Sequence, residues 1–146
     1  MFIKNKVKEI ISKFGTNNPF DIIEILDIDL VPYPLHDSIN GFFHVKDGYP
    51  VIYINSNLCH QEQVMTAAHE LGHYFLHEGV NAFACHNSFG SYIKDKYERQ
   101  AYIFAAELLI DDNIHKMYPG KSDAEIASDI GVHPWLFDFK FREKLR

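Results

Sequence analysis

The sequence is poor in cysteine, in basic residues and in long apolar runs. Its 146 residues contain 2 cysteines, Cys59 and Cys85, which are too few for a disulfide framework, so we expect free thiols. Lys and Arg total 14 against 20 Asp and Glu, and the resulting net charge of −6 argues against general affinity for nucleic acid or anionic membrane. No stretch approaches the roughly 18 consecutive apolar residues of a membrane-spanning helix. These absences argue against a secreted disulfide scaffold and a membrane protein.

The remaining composition is that of a globular protein. Residues 1–15 interleave lysines with apolar residues and lack the unbroken apolar core of a signal peptide, so we expect a cytoplasmic location. Hydrophobic residues make up 47% of the chain and aromatic residues 14%, which supports a true core. Because there are no repeats, low-complexity runs or composition shifts, we expect one domain over residues 1–146.

Apolar spacing predicts two helices at the start of the chain. The first ends at Gly15. The second begins with Asn18 as its cap and Pro19 at its first position, and its buried side is expected to extend to Leu30. Both helices are therefore expected within the first thirty residues or so, before any strand.

The following segments predict a small sheet and then more helices. Short runs rich in β-branched and aromatic residues occupy 29–35, 40–45 and 50–55. Turn residues between the last two runs indicate a hairpin, so we expect about three mostly antiparallel strands. Helices are predicted from about Cys59 to Glu78 and from about Lys94 to Asp111. Residues 120–146 predict a C-terminal helical cap, broken near Gly131. The fold class is therefore α+β.

The stretch AAHELGHYFLH, residues 67–77, contains the H-E-x-x-H pattern of zinc hydrolases. Helical residues four apart differ by about 40° in direction and about 6 Å in rise, so His69 and His73 can converge on one ion. Glu70 points about 100° away from His69, within reach of a water bound to that ion. Metal lowers the pKa of such a water, and a carboxylate can take its proton. We therefore predict His69 and His73 as metal ligands and Glu70 as the general base.

A coincidental match on a surface helix is the alternative interpretation of this pattern. The apolar residues of the segment lie within a sector of roughly 120° that is expected to pack on the core, and both histidines lie opposite it. Gly72 costs about 1 kcal/mol in a helix interior, but it would let another backbone or a substrate approach. His77 lies about 12 Å of helix rise beyond His69, too far to share one ion. We therefore predict that His77 is structural, either closing the helix end or hydrogen-bonding near the site.

The third ligand is expected on the second long helix. Glu98 and Glu107 are nine residues apart, about half a turn on a helical wheel, so one of them alone can face the metal. Glu98 shares its face with small alanines that allow close approach to the H-E-x-x-H helix, whereas Glu107 is predicted to be a structural carboxylate. We favour Glu98, which leaves an open fourth position for water.

Other candidates remain open at this stage. Cys85 and His86 could bind metal from the loop between the long helices, but nothing in their spacing selects them. A tyrosine could stabilise the oxyanion of a tetrahedral intermediate. The available tyrosines are Tyr74, Tyr92, Tyr97 and Tyr102. The ligand types favour Zn²⁺, with Mn²⁺ or Fe²⁺ as alternatives.

Together with ERQAYIFAAELLI, about twenty residues downstream, AAHELGHYFLH resembles the ImmA/IrrE family of metallopeptidases. The family pattern is H-E-x-G-H followed by E-x-x-A-x-x-F-A-x-E-L-L, and the resemblance covers roughly residues 15 to 110. It implies a zincin-like minimal metallopeptidase domain. It also implies metal ligands at His69, His73 and Glu98, with Glu70 as general base. The family's proline after E-L-L is absent here.

The resemblance further implies a bacterial or phage-encoded protease. In mobile elements such a protein acts as an anti-repressor, and it cleaves a repressor that carries a helix-turn-helix. Two other functions compete with this prediction. One is a regulator that binds metal or a partner without cleaving it. The other is DNA binding through EIASDIGVHPWLF, residues 125–137, although a reading helix needs polar side chains and this segment offers mainly bulky apolar ones.

Overall fold

The computed structural model describes residues 2–77 and 91–142, with the backbone alone over 91–95. Within these ranges the chain forms six helices, one three-stranded sheet and a terminal π-helical turn. None of the described helices combines the length and apolar content needed to span a membrane. The elements in chain order are α1 (Phe2–Phe14), α2 (Pro19–Ile25), β1 (Asp29–Tyr33), β2 (Gly41–Lys46), β3 (Tyr49–Asn55), α3 (His60–Leu76), α4 (Ser91–Leu109), α5 (Ile114–Met117), α6 (Asp123–Ile130) and the π-helical turn (Asp138–Arg142).

Helix α2 starts as predicted and ends earlier than predicted. The Asn18 side chain accepts a hydrogen bond from the backbone N–H of the second helical residue, and Pro19 occupies the first position. The expected buried helical side as far as Leu30 is wrong, because the helix ends at Ile25. Asp27 has a φ of 58°, a left-handed conformation that turns the chain out of the helix. Leu30 consequently lies in β1.

The sheet is mixed, with strand order β1-β3-β2. Strands β2 and β3 form the expected antiparallel hairpin, whereas β1 runs parallel to β3. Asp47 and Gly48 form the hairpin turn with φ values of 51° and 83°, the left-handed pair that matches the twist of the strands. This order leaves β2 at one edge of the described sheet.

Asn55, at the end of β3, fixes the loop that connects β1 to β2. Its side chain is buried at 1% exposure. The side-chain oxygen accepts from Leu35 N at 3.1 Å, and the side-chain nitrogen donates to Ile39 O at 2.9 Å. Because a buried amide left without such partners costs about 1–3 kcal/mol, these bonds define the loop's path. The loop leads directly into edge strand β2.

Helix α3 is the central helix of the core, because it contacts β2 and β3 as well as helices α2 and α4. It covers most of the segment predicted at 59–78, and α4 covers most of that predicted at 94–111. The apolar face of α3 packs inward through fully buried side chains. They are Ala67, Ala68 and Leu71. The predicted face of α3 is therefore the one that faces the core.

The C-terminal segment is anchored to the end of α4 by a buried lysine. Lys140 Nζ lies 2.8 Å from Glu107 Oε1 and 2.7 Å from Asp112 Oδ1. The hydrogen bond from Lys140 lowers the pKa of Asp112 to about 2. Glu107 is thus a buried structural carboxylate, as predicted. Leu136 and Phe137 are fully buried in the same segment.

Candidate metal centre

Helices α3 and α4 bring two imidazoles and one carboxylate together. His69 and His73 are one helical turn apart on α3, and Glu98 lies opposite them on α4. The Nε2 atom of His69 is 3.0 Å from Glu98 Oε2, and Nε2 of His73 is 2.9 Å from Glu98 Oε1. The three residues predicted from the sequence as ligands therefore lie in direct contact.

The close approach of the two helices depends on Gly72. A Cβ atom built on Gly72 would lie 3.0 Å from both the Cα and the carbonyl oxygen of Ala101, and 3.1 Å from Phe104 Cβ. Contacts this short with backbone atoms cannot be relieved by rotating a side chain. The backbone approach expected at this glycine is confirmed, and it sets the distance from which Glu98 reaches the histidines.

We expect Gly72→Ala to destabilise the fold despite alanine's higher helix propensity. Overpacking a core contact costs about 1–3 kcal/mol, whereas the change to alanine in a helix returns about 1 kcal/mol. A net loss of roughly 1 kcal/mol, measured by denaturant unfolding, should accompany weaker metal binding because α4 must move away from α3. An increase in stability, as at an ordinary helical glycine, would show that the two backbones are not in tight contact.

Glu70 is the second carboxylate near the imidazoles, and it is buried at 5% exposure. Burial raises its pKa to about 7, and the neighbouring Glu98 charge adds to this, while His73 acts in the opposite direction. Ligand atoms of His69, Glu70 and His73 all lie within 4.8 Å of one another. Glu70 thus shares a small volume with the two imidazoles.

The donor set suits a divalent ion. Imidazole nitrogens and a carboxylate are common zinc ligands, with bonds of about 2.0–2.2 Å, which places neighbouring ligand atoms of a tetrahedral site roughly 3.3 Å apart. The two Nε2 atoms lie 2.9 and 3.0 Å from the Glu98 oxygens, so displacements of a few tenths of an ångström would make room for an ion. Although burial opposes it, hydrogen bonding to both histidines lowers the pKa of Glu98 far below its usual value, so the carboxylate is charged.

These residues lie at the floor of a cleft of about 520 Å³. One wall is formed by residues 38–43, which include the start of edge strand β2. Tyr102 of α4 and His133 and Trp135 of the C-terminal segment also line the cleft. The ring of Tyr102 lies against those of His69 and Trp135. Its centroid is 4.1 Å from that of His69 and 5.3 Å from that of Trp135. The cleft is therefore lined both by the start of an edge strand and by aromatic rings.

Of the tyrosines considered for the oxyanion, Tyr102 lines the cleft. Tyr74 packs against Phe43 and Phe75, and Tyr97 packs against His77. Burial raises the pKa of Tyr102, and the charges of Glu98 and Glu70 raise it further, so its hydroxyl keeps its proton. The side chain of Tyr92, together with Cys85 and His86, lies outside what the structure describes.

His77 does not point at the space between the imidazoles and Glu98. Its backbone N–H caps α3 by donating to His73 O at 3.0 Å. Its ring Nδ1 lies 2.9 Å from Nδ1 of His73, and burial lowers its pKa to about 4. Both roles predicted for His77, closing the helix end and hydrogen-bonding near the site, are therefore present in the structure.

Sequence reasoning missed the residues that the C-terminal segment contributes. His133 and Trp135 line the cleft, with their rings stacked 5.8 Å apart. Trp135, the single tryptophan of the chain, is 41% exposed although its ring is large and apolar. Its exposure at the cleft follows from the packing of the segment and has no counterpart in the sequence pattern. Within residues 131–142 of the same segment, the chain turns at Gly131 and forms the π-helical turn Asp138–Arg142.

This chain is similar to a known protein family and to two named proteins. The Peptidase_M78 family model, described as IrrE N-terminal-like domain, matches residues 23–141. Metallopeptidase ImmA of Bacillus subtilis (strain 168) is 39% identical over 147 residues, which cover 97% of this chain and 85% of that protein. Uncharacterized immunity region protein 2 of Bacillus phage phi105 is 38% identical over 131 residues, which cover 89% of this chain and 80% of the phage protein.

Proposed function

We propose, from the premise that this chain belongs to the ImmA/IrrE (Peptidase_M78) family and is a metallopeptidase, that His69, His73 and Glu98 hold its metal ion. The observation that carries the proposal is the convergence of both Nε2 atoms on the Glu98 carboxylate at 2.9 and 3.0 Å. The ligand types favour Zn²⁺. Because Glu98 contacts both imidazoles, Glu70 is left available for proton transfer.

In this proposal Glu70 is the general base. A divalent ion bound here would lower the pKa of a water molecule and polarise the substrate carbonyl. Glu70 accepts a proton as the water oxygen bonds to the carbonyl carbon. It then delivers that proton to the amide nitrogen when the C–N bond breaks. The Tyr102 hydroxyl, which keeps its proton, is the donor best placed to stabilise the oxyanion.

The cleft favours a peptide in extended conformation. Strand β2 is at the edge of the described sheet, and its first residues line the cleft. An extended peptide can pair with such an edge through main-chain hydrogen bonds. Trp135 and Tyr102, which also line the cleft, offer apolar surface for a substrate side chain. This arrangement supports an endopeptidase that binds a stretch of protein chain across the metal centre.

The proposed substrate is a repressor that carries a helix-turn-helix, and this protein would then be an anti-repressor of a phage or mobile element. Support comes from the family and from a relative named for the immunity region of a phage. We place both proteins in the cytoplasm, where repressors act. A regulator that binds the repressor without cutting it is the competing function.

A helix-turn-helix repressor whose gene neighbours that of this protein is the substrate to test. Incubation with the zinc-loaded protein should give one discrete cut, mapped by mass spectrometry, and a chelator should abolish it until zinc is restored. A repressor that stays intact would contradict the proposed substrate. Cleavage that persists after complete removal of metal would contradict the proposed chemistry.

A further inference from the structure

A chain of hydrogen bonds leads away from His73 on the side opposite Glu98. Nδ1 of His73 lies 2.9 Å from Nδ1 of His77, and Nε2 of His77 lies 2.8 Å from Oε1 of Gln100. His77 is buried at 6% exposure, and the ring of Tyr97 packs against it with centroids 4.4 Å apart. The side chains are thus fixed in contact across the α3–α4 interface.

The position of each proton in this series of hydrogen bonds can be assigned by starting from Gln100. An amide oxygen can only accept, so Nε2 of His77 must donate its proton to Gln100. A neutral imidazole has a single N–H, which leaves Nδ1 of His77 as an acceptor. The proton between the two histidines must then belong to Nδ1 of His73. For His73 to bind a metal ion, the hydrogen bond between its Nε2 and Glu98 must give way to a metal bond, and a proton held on Nδ1 lets His73 do so as a neutral imidazole.

The opposite orientation of Gln100 would have the opposite effect. If its amide nitrogen faced His77, Nε2 of His77 would accept and Nδ1 of His77 would donate to His73. A neutral His73 would then carry its proton on Nε2, where it would block a metal bond. The direction of the hydrogen bonds between Gln100, His77 and His73 therefore decides whether His73 can be a ligand.

We propose that His77, oriented by Gln100, is a positioning residue that holds the His73 proton on Nδ1 and so presents Nε2 to the metal ion. The inference rests on the proposed ligation by His73. Ligating histidines usually donate their second N–H to a carboxylate, carbonyl or water, and here another imidazole takes that place. His69 differs, since its Nδ1 is buried without a hydrogen-bond partner among the described residues.

The wild-type protein allows a test without any substitution. Long-range ¹H–¹⁵N correlation spectra of the zinc-loaded protein report which ring nitrogen of each histidine carries a proton. We expect His73 to be protonated on Nδ1 and bound through Nε2, and His77 to be protonated on Nε2. A His77 protonated on Nδ1 would overturn the inference. A His73 that shows no metal-bound nitrogen would instead contradict the proposed ligand set.

Variants provide a second test, with the Kd for zinc measured by competition with a chelating dye. Loss of a hydrogen-bond partner of a ligand typically costs about 10–100-fold in metal affinity, so His77→Phe should raise Kd by that factor. His60→Phe is the matched control, because His60 is exposed at the start of the same helix and should leave Kd unchanged. An unchanged Kd in His77→Phe would overturn the inference.

Gln100 separates positioning from simple packing. Gln100→Glu keeps oxygen acceptors facing His77, so its Kd should be no weaker than that of the wild type. Gln100→Leu removes the acceptor and should weaken binding by about tenfold. A packing role alone would give the reverse order, because a half-buried charge is less well tolerated than an apolar side chain of similar size. Loss of zinc in His73→Ala verifies the ligand set independently.

Discussion

Glu70→Gln is expected to lower peptide hydrolysis by about 10²–10⁴-fold, the usual contribution of a positioned general base. Glutamine keeps the volume of the buried side chain but cannot accept the water proton. Ligation by His69, His73 and Glu98 does not require this carboxylate, so metal content and thermal stability should remain close to those of the wild type. Initial rates on the repressor, with metal measured by elemental analysis, check both parts.

A matched control for Glu70→Gln is available on α2. Glu24 is exposed and distant in sequence from the site, so Glu24→Gln should leave the rate unchanged. Cleavage by Glu70→Gln at the wild-type rate would contradict its role as the base. A loss of metal in the same variant would instead identify Glu70 as a ligand. A protein that bound the repressor equally well with either residue, and cut it with neither, would be the regulator rather than the enzyme.

Glu98→Ala is expected to release the metal. The substitution removes the carboxylate that contacts both Nε2 atoms at 2.9 and 3.0 Å, and it leaves two imidazoles as the remaining proposed ligands. Loss of a hydrogen-bond partner of a ligand typically lowers metal affinity by about 10–100-fold. Loss of the ligand itself should lower it further. The purified variant should therefore contain little zinc and show no hydrolysis.

Glu107→Gln is the control on the same helix. Glu107 bonds Lys140 away from the metal centre, so this variant should keep its metal and lose stability instead. Full metal occupancy in Glu98→Ala would contradict the proposed third ligand. It would favour Glu70, whose ligand atom lies within 4.8 Å of those of His69 and His73.

The clustering of His69, His73 and Glu98 could be predicted from the sequence because helical periodicity determines most of it. The four-residue spacing of His69 and His73 places both on one face of α3. The small residues beside Glu98 indicated which face of α4 would approach, and the contact between Gly72 and Ala101 explains why small residues are needed there. Each of these inferences requires only the geometry of one helix and the sizes of its side chains.

The cleft wall and the strand directions could not be predicted in the same way. His133 and Trp135 reach the site only because Lys140, Leu136 and Phe137 anchor the C-terminal segment against the body of the protein. That anchoring is a long-range packing event with no periodic signature. The pairing of β1 with β3 depends likewise on how a loop held by Asn55 crosses the end of the sheet. The early end of α2 reflects a single left-handed residue, Asp27.

Anomalous diffraction from crystals of the zinc-loaded protein tests the central claim most directly. We predict one anomalous difference peak per chain, within bonding distance of Nε2 of His69, Nε2 of His73 and the carboxylate of Glu98. Glu70 should face the peak without bonding to it. A peak bonded to Glu70 in place of Glu98, or one located away from both histidines, would contradict the proposed ligand set.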